Sequence, residues 1–222
     1  MWRTAGSQGV LVGFTRWRVG VRWYLAAMFL LLGPLAVAAV YIAMGNSARG
    51  LLPGVTAWAL VGQLIFTLFS GPLAEEAGWR GFALPRLQAR HGALTSSLIL
   101  GVLWAAWHIP LYVEGGQAAP GISLPIFFVI VLVLSTLFTW LYNNTGGSLV
   151  VTVVAHFSFN LTGAFIIGTL GLIPVNVFYM TAGPLLGLMF LAVVLVFGPR
   201  HLSHKSVAAM PFTKSKSTPS GS

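Results

Sequence analysis

The chain has 222 residues, 57% hydrophobic and 7% charged, with a formal net charge of +9 and no cysteine; its mean hydropathy is +0.87. Soluble domains carry about 25% charged residues, so this much apolar surface needs lipid as its solvent, which excludes a soluble enzyme, a secreted disulfide scaffold and a disordered regulator. Thiolate chemistry and cysteine-ligated metals are excluded too, and the positive charge reads as membrane topology rather than nucleic-acid binding.

The predicted fold class is all-α, a polytopic transmembrane helical bundle of about six spans. Residues 1–22 form a basic cytosolic segment with Arg3, Arg16, Arg18 and Arg22. Apolar segments follow at 23–44, 55–73 or beyond, 93–113, 122–142, 148–170 and 175–197. Crossing a bilayer takes about 20 residues at about 1.5 Å each, which the second segment reaches only by continuing past 73. Glycine and proline punctuate the gaps, as in Leu52-Pro53-Gly54, Gly115-Gly116, Pro120-Gly121 and Gly146-Gly147. Period-two alternation is absent, which argues against a β-barrel. The first apolar run is longer than the roughly 7–15 residues of a signal peptide's apolar core, so an uncleaved first span is expected. Residues 23–198 are read as the transmembrane domain. Residues 199–222, rich in Lys, Ser, Thr and Pro, are read as a disordered cytosolic tail with His201 and His204 in solvent.

Six spans put both termini on one side. That side collects the four N-terminal arginines, Arg80, Arg86 and Arg90 between spans two and three, and Arg200, Lys205, Lys214 and Lys216 after span six. Only Arg49 falls on the other. Positive charge accumulates on the cytoplasmic side, so the expectation is an integral protein of the cell (plasma) membrane with both termini cytosolic.

The chain has no aspartate and only three glutamates, Glu75, Glu76 and Glu114. Glu114 reads as a solvated loop acid outside the membrane. A charge at the bilayer centre costs about 2.5–3.5 kcal/mol on insertion scales, so each polar group inside a span needs a reason. In Glu75-Glu76-Ala77-Gly78-Trp79-Arg80, Glu76 and Arg80 are i,i+4 on a helix and can pair. Glu75 points about 100° away and stays free. His108 is the only histidine, acid or basic residue of span three, with Trp104 one turn before it. His156 and Asn160 share one face of span five and can both donate hydrogen bonds. If the second helix runs on to Pro85, with a tilt or kink near Gly71-Pro72, Glu75 lies roughly 15 Å from its cytosolic end, His156 roughly 12 Å and His108 roughly 17 Å. The three then meet at one depth, beside a cavity open to the cytosol.

A carboxylate and two histidines around a wet cavity suit water activation, with neutral donors for a tetrahedral oxyanion. The same three groups, Glu75, His108 and His156, also make a zinc ligand set. A third possibility is structural: the polar residues act as interhelical glue worth about 0.6–2 kcal/mol per bond. An aspartyl dyad, a His-Glu-x-x-His zinc helix and a Gly-x-Ser-x-Gly elbow are all absent.

These residues resemble the CPBP family (CAAX protease and bacteriocin-processing, also called Abi) of intramembrane proteases, which includes the type II CAAX prenyl endopeptidases. Glu75, Glu76 and Arg80 match its Glu-Glu-x-x-x-Arg motif, His108 with Ile109-Pro110 its Phe-x-x-x-His motif, and His156 and Asn160 its His-x-x-x-Asn motif. The resemblance covers roughly 55–170. It departs at Trp104, where the family has Phe, another bulky aromatic, so that wall packing can change while the chemistry need not. The chain also has about six spans where some relatives have eight. The resemblance implies an intramembrane endopeptidase cutting a peptide bond near the membrane surface. Glu75 would activate water, His108 orient it, His156 and Asn160 stabilise the oxyanion, and Glu76 and Arg80 hold the geometry. A metalloprotease reading instead makes Glu75, His108 and His156 zinc ligands; the glutamate–water reading needs no cofactor. Relatives act on prenylated C-terminal peptides, process or confer immunity to peptides, or serve as scaffolds. The implied partners are a peptide or protein substrate, lipidated in some relatives, and the lipid bilayer, with no nucleic acid. The rival is a non-enzymatic membrane protein in an immunity or assembly role.

Overall fold

The computed structural model of the chain describes residues 7–113 and 122–204. Seven helices form there: α1 Ser7–Thr15, α2 Val21–Ala43, α3 Ala57–Gln88, α4 Ala93–Val113, α5 Leu124–Asn144, α6 Leu149–Thr169 and α7 Val175–Phe197. No strand forms among the described residues. Helices α2–α7 are long and apolar enough to cross a bilayer, and they make the chain an integral membrane protein.

Helices α5 and α6 form the centre, with about half of each buried, while α2, α3 and α7 turn mostly outward. Trp58, Phe66, Met180 and Leu195 are among the most exposed large apolar side chains, as a lipid-facing surface requires. Lipid supplies no hydrophobic drive between helices, so contact rests on close packing and hydrogen bonds. The α4–α5 seam shows both. Ser97, Gly101 and Ala105 form a buried stripe of small residues at i,i+4 spacing. Ser135 Oγ donates to the Ser97 carbonyl at 2.8 Å, and the Ser97 and Thr136 hydroxyls lie 3.3 Å apart.

The ends of the bundle are stitched by polar groups. At one end Asn143 and Gln88 exchange amide hydrogen bonds at 3.1 Å, and Arg16 donates to the Gly146 carbonyl. Helix α1 packs against the start of α6, where Gly13 and Gly81 both leave room for Leu149. At the other end Arg49 donates to the carbonyls of Ile167 and Gly168, at 3.2 and 2.6 Å. Those carbonyls belong to the wide turns that end α6, residues Thr162–Thr169, and Arg49 is the cation set apart from the rest in sequence.

The second span takes the longer of the two lengths open to it. Thr56 caps its start by accepting from Ala59 N–H at 3.2 Å. The helix breaks at Gly71, resumes at Pro72, widens into a π-helix over Ala77–Ala83 and ends at Gln88. Proline at the first position of a helical segment lacks only an N–H that would have no partner, so the break at Gly71-Pro72 bends the rod without ending it.

The tail requires a correction. Disorder was expected from 199, yet residues 199–204 fold back onto the bundle. Ala93 and Leu94 N–H donate to the carbonyls of Arg200 and Pro199, Asn143 and Asn144 donate to those of His201 and Leu202, and Leu202 is fully buried. His201 is therefore half-buried rather than solvated, and exposed His204 lays its ring 4.6 Å from that of Phe197. The cause is the free N–H groups at the start of α4 and two asparagine amides, which supply partners for a polar turn. The rest of the tail, 205–222, lies outside the described residues, as do Arg3 and Glu114.

A β-carbon on Gly101 would sit 3.0 Å from Leu132 Cδ2 and 3.1 Å from Leu132 Cα. Gly101→Val is expected to destabilise the bundle by roughly 1–3 kcal/mol, read as a lower melting temperature in detergent, whereas Gly183→Val, which meets nothing within 4 Å, leaves it nearly unchanged.

Candidate active site

Three helices supply the polar residues, and one buried ion pair organises them. Glu76 and Arg80 are both fully buried and lie one turn apart on α3. Arg80 Nη1 donates to Glu76 Oε1 at 2.9 Å. The same oxygen accepts from His156 Nδ1 on α6 at 3.0 Å. A carboxylate only accepts, so the proton of this bond sits on Nδ1. Arg80 Nε and Nη2 and Glu76 Oε2 have no hydrogen-bond partner. The guanidinium lies instead against two aromatic faces, 4.8 Å from the Trp104 ring centre and 4.9 Å from that of Phe138, where ring quadrupoles attract a desolvated cation.

Glu75 takes the other direction. Its carboxylate faces a cavity of about 640 Å³ that is also lined by His108, His156 and Asn160. Trp104 Nε1–H donates to Glu75 Oε2 at 2.6 Å. The second oxygen, Oε1, and Asn160 Nδ2 flank Gly71, whose β-carbon would lie 3.2 and 3.6 Å from them. The bend at Gly71 therefore does more than kink α3. It clears the space in front of the free carboxylate.

His108 stands at the turn that interrupts α4 after Trp107. Its Nδ1 lies 2.8 Å from the Trp104 carbonyl, which accepts, so Nδ1 carries the proton and Nε2 is left as an acceptor. Trp104 is thus shared. Its indole N–H holds Glu75, its carbonyl holds His108, and its ring meets the His156 ring edge-on at 5.0 Å.

All four residues expected to carry the chemistry, Glu75, His108, His156 and Asn160, meet at one cavity, and Glu76 and Arg80 stand behind it. Among the described residues no three His, Asp or Glu side chains converge closely enough to hold a metal. Glu75 is tied to Trp104, and His156 reaches Glu76 instead. Trp104, where the family motif has Phe, does more than pack the wall: its N–H is bonded to the free acid. Residues that sequence reasoning missed are the apolar walls, including Phe127 of α5 and Val175, Phe178 and Tyr179 of α7. No polar or spacing signal distinguishes them from other membrane-facing positions.

Residues 56–162 match the family model described as type II CAAX prenyl endopeptidase Rce1-like. The matched segment holds all three motifs and is slightly under half of the chain. The chain is also similar to "CAAX prenyl protease 2" of Methanococcus maripaludis, 30% identical over 104 residues, covering 44% of this chain and 38% of that protein. It therefore spans well under half of that relative's length. The family resemblance carried by the motifs holds for the segment that contains them.

Removing one partner of a buried pair strands the other. Glu76→Ala is expected to cost roughly 3–5 kcal/mol, measured as a lowered melting temperature. Replacing the pair together, Glu76→Leu with Arg80→Met, is expected to recover part of that loss, because the arginine charge is no longer stranded while His156 Nδ1–H still loses its acceptor.

Proposed function

We propose that the cavity is the active site of an intramembrane endopeptidase in which Glu75 activates water to hydrolyse a peptide bond near the membrane surface. The observation that carries this is the division of labour between adjacent acids. Glu76 is consumed by Arg80 and His156, while Glu75 faces a cavity shared with His108, His156 and Asn160. The match to Rce1-like endopeptidases over 56–162 supports the same reading.

The proton positions suggest each step. His108, protonated on Nδ1, accepts one water hydrogen through Nε2 and orients the molecule. Glu75 Oε1 takes the other proton as the oxygen attacks the carbonyl carbon. The tetrahedral oxyanion accepts from the Asn160 amide and from His156 Nε2–H. Because His156 Nδ1–H is already given to Glu76, that second contact requires the imidazolium. On collapse, Glu75 returns its proton to the leaving amine. No step needs a metal or cofactor.

The substrate class we infer is a peptide or protein carrying an apolar group. Phe66, Leu111, Phe127, Phe159 and Phe178 also line the cavity and offer no partner to a charged chain. A lipidated C-terminal peptide fits this chemistry, and the name of the M. maripaludis relative points the same way. The basic residues gathered at one end of the bundle support a cell-membrane location with both termini cytosolic. The structural rival accounts for Glu76, Arg80 and His156, and for the Glu75–Trp104 bond, as glue, but gives no use to Glu75 Oε1 beside Gly71 and Asn160.

Glu75→Gln in nanodiscs discriminates. The peptidase reading expects cleavage of farnesylated or unmodified C-terminal peptides to fall at least about 100-fold with the melting temperature nearly unchanged. A fall in melting temperature with cleavage retained would favour the structural role. Chelation by 1,10-phenanthroline is expected to leave the rate unchanged; loss of activity restored by zinc would instead support the metal-dependent reading.

A further inference from the structure

We infer that Trp104 is a positioning residue that decides which oxygen of Glu75 works as the base. This deepens the proposed peptidase reading and rests on it. A carboxylate in a wet cavity can rotate and present either oxygen. Here the 2.6 Å bond from Trp104 Nε1 occupies Oε2, which leaves Oε1 on the side of Gly71 and Asn160. The donor itself is hard to move. Trp104 is 3% exposed, its ring is packed on Arg80, Phe138 and His156, and its own carbonyl fixes His108 Nδ1. One residue thereby sets the direction of both groups that handle the water. A phenylalanine here would lose the N–H together with half of the bicyclic ring, whereas an isostere with sulfur in place of the N–H would keep the ring contacts with Arg80, Phe138 and His156. The base would then be free to turn.

The test separates the N–H from the ring. Replacement of Trp104 by the isosteric benzothienylalanine is expected to lower kcat about 10- to 100-fold with KM and melting temperature nearly unchanged, and Trp104→Phe to lower kcat similarly but also the melting temperature, because the smaller ring leaves part of a buried site empty. The indole N–H proton resonance of Trp104, identified as the one lost in Trp104→Phe, is expected to move upfield in Glu75→Ala. Wild-type kcat in the benzothienylalanine protein overturns the inference. So does an indole resonance that ignores Glu75→Ala while the wild-type protein cleaves peptide. If the resonance responds but the wild-type protein cleaves none of the peptides, the hydrogen bond stands, and the positioning role falls together with the peptidase reading.

Discussion

A single carboxylate oxygen, Glu76 Oε1, receives protons from two helices: Arg80 on its own and His156 on α6. The arrangement around the cavity follows from that sharing. It fixes α3 against α6 at the depth of the cavity and anchors the guanidinium on which Trp104 and Phe138 stack. It also settles the tautomer of His156. Buried ion pairs often contribute little net stability over an apolar replacement. Their worth here lies in specifying one arrangement of side chains that lipid would otherwise leave undetermined.

The site is built in two layers. The inner layer of Glu76, Arg80 and Phe138 never reaches the cavity, and the outer layer of Glu75, His108, His156 and Asn160 lines it. Trp104 joins them, since it contacts both. The cavity combines the polar cluster with aromatic and aliphatic side chains. A few polar groups, of which Glu75, His108 and His156 are each held by a hydrogen bond, stand among apolar walls, the usual composition of a small-molecule or peptide site.

Much of this was legible in the sequence, for physical reasons that can be named. Lipid forbids unpaired polar groups, so the few that remain in the spans stand out against an apolar background. Glu75, Glu76, Arg80, His108, His156 and Asn160 were visible for that reason. Helical spacing alone separated the paired acid from the free one. The continuation of α3 past residue 73 followed from requiring three groups to meet at one depth. The lost details depend on tertiary contact. Nothing local reveals that a tryptophan N–H reaches an acid 29 residues away, or that Val175, Phe178 and Tyr179 wall the cavity. The polar turn at 199–204 looked like solvent-exposed chain, because its partners, Asn143 and Asn144, lie more than fifty residues upstream. Helix α1 was hidden in the same way, since its role depends on Leu149 meeting Gly13 and Gly81.

The placement of Arg80 four residues after Glu76 also bears on how the protein is made. Both charges belong to one helix, so they neutralise each other as soon as that helix forms, before any later span exists. The second span can therefore leave the insertion machinery for the bilayer without carrying the full cost of two isolated ions. His156 is synthesised 80 residues later and docks onto an acid that is already half satisfied. Biogenesis and active-site architecture thus draw on the same carboxylate, first as a ticket into the membrane and then as the seam between two helices.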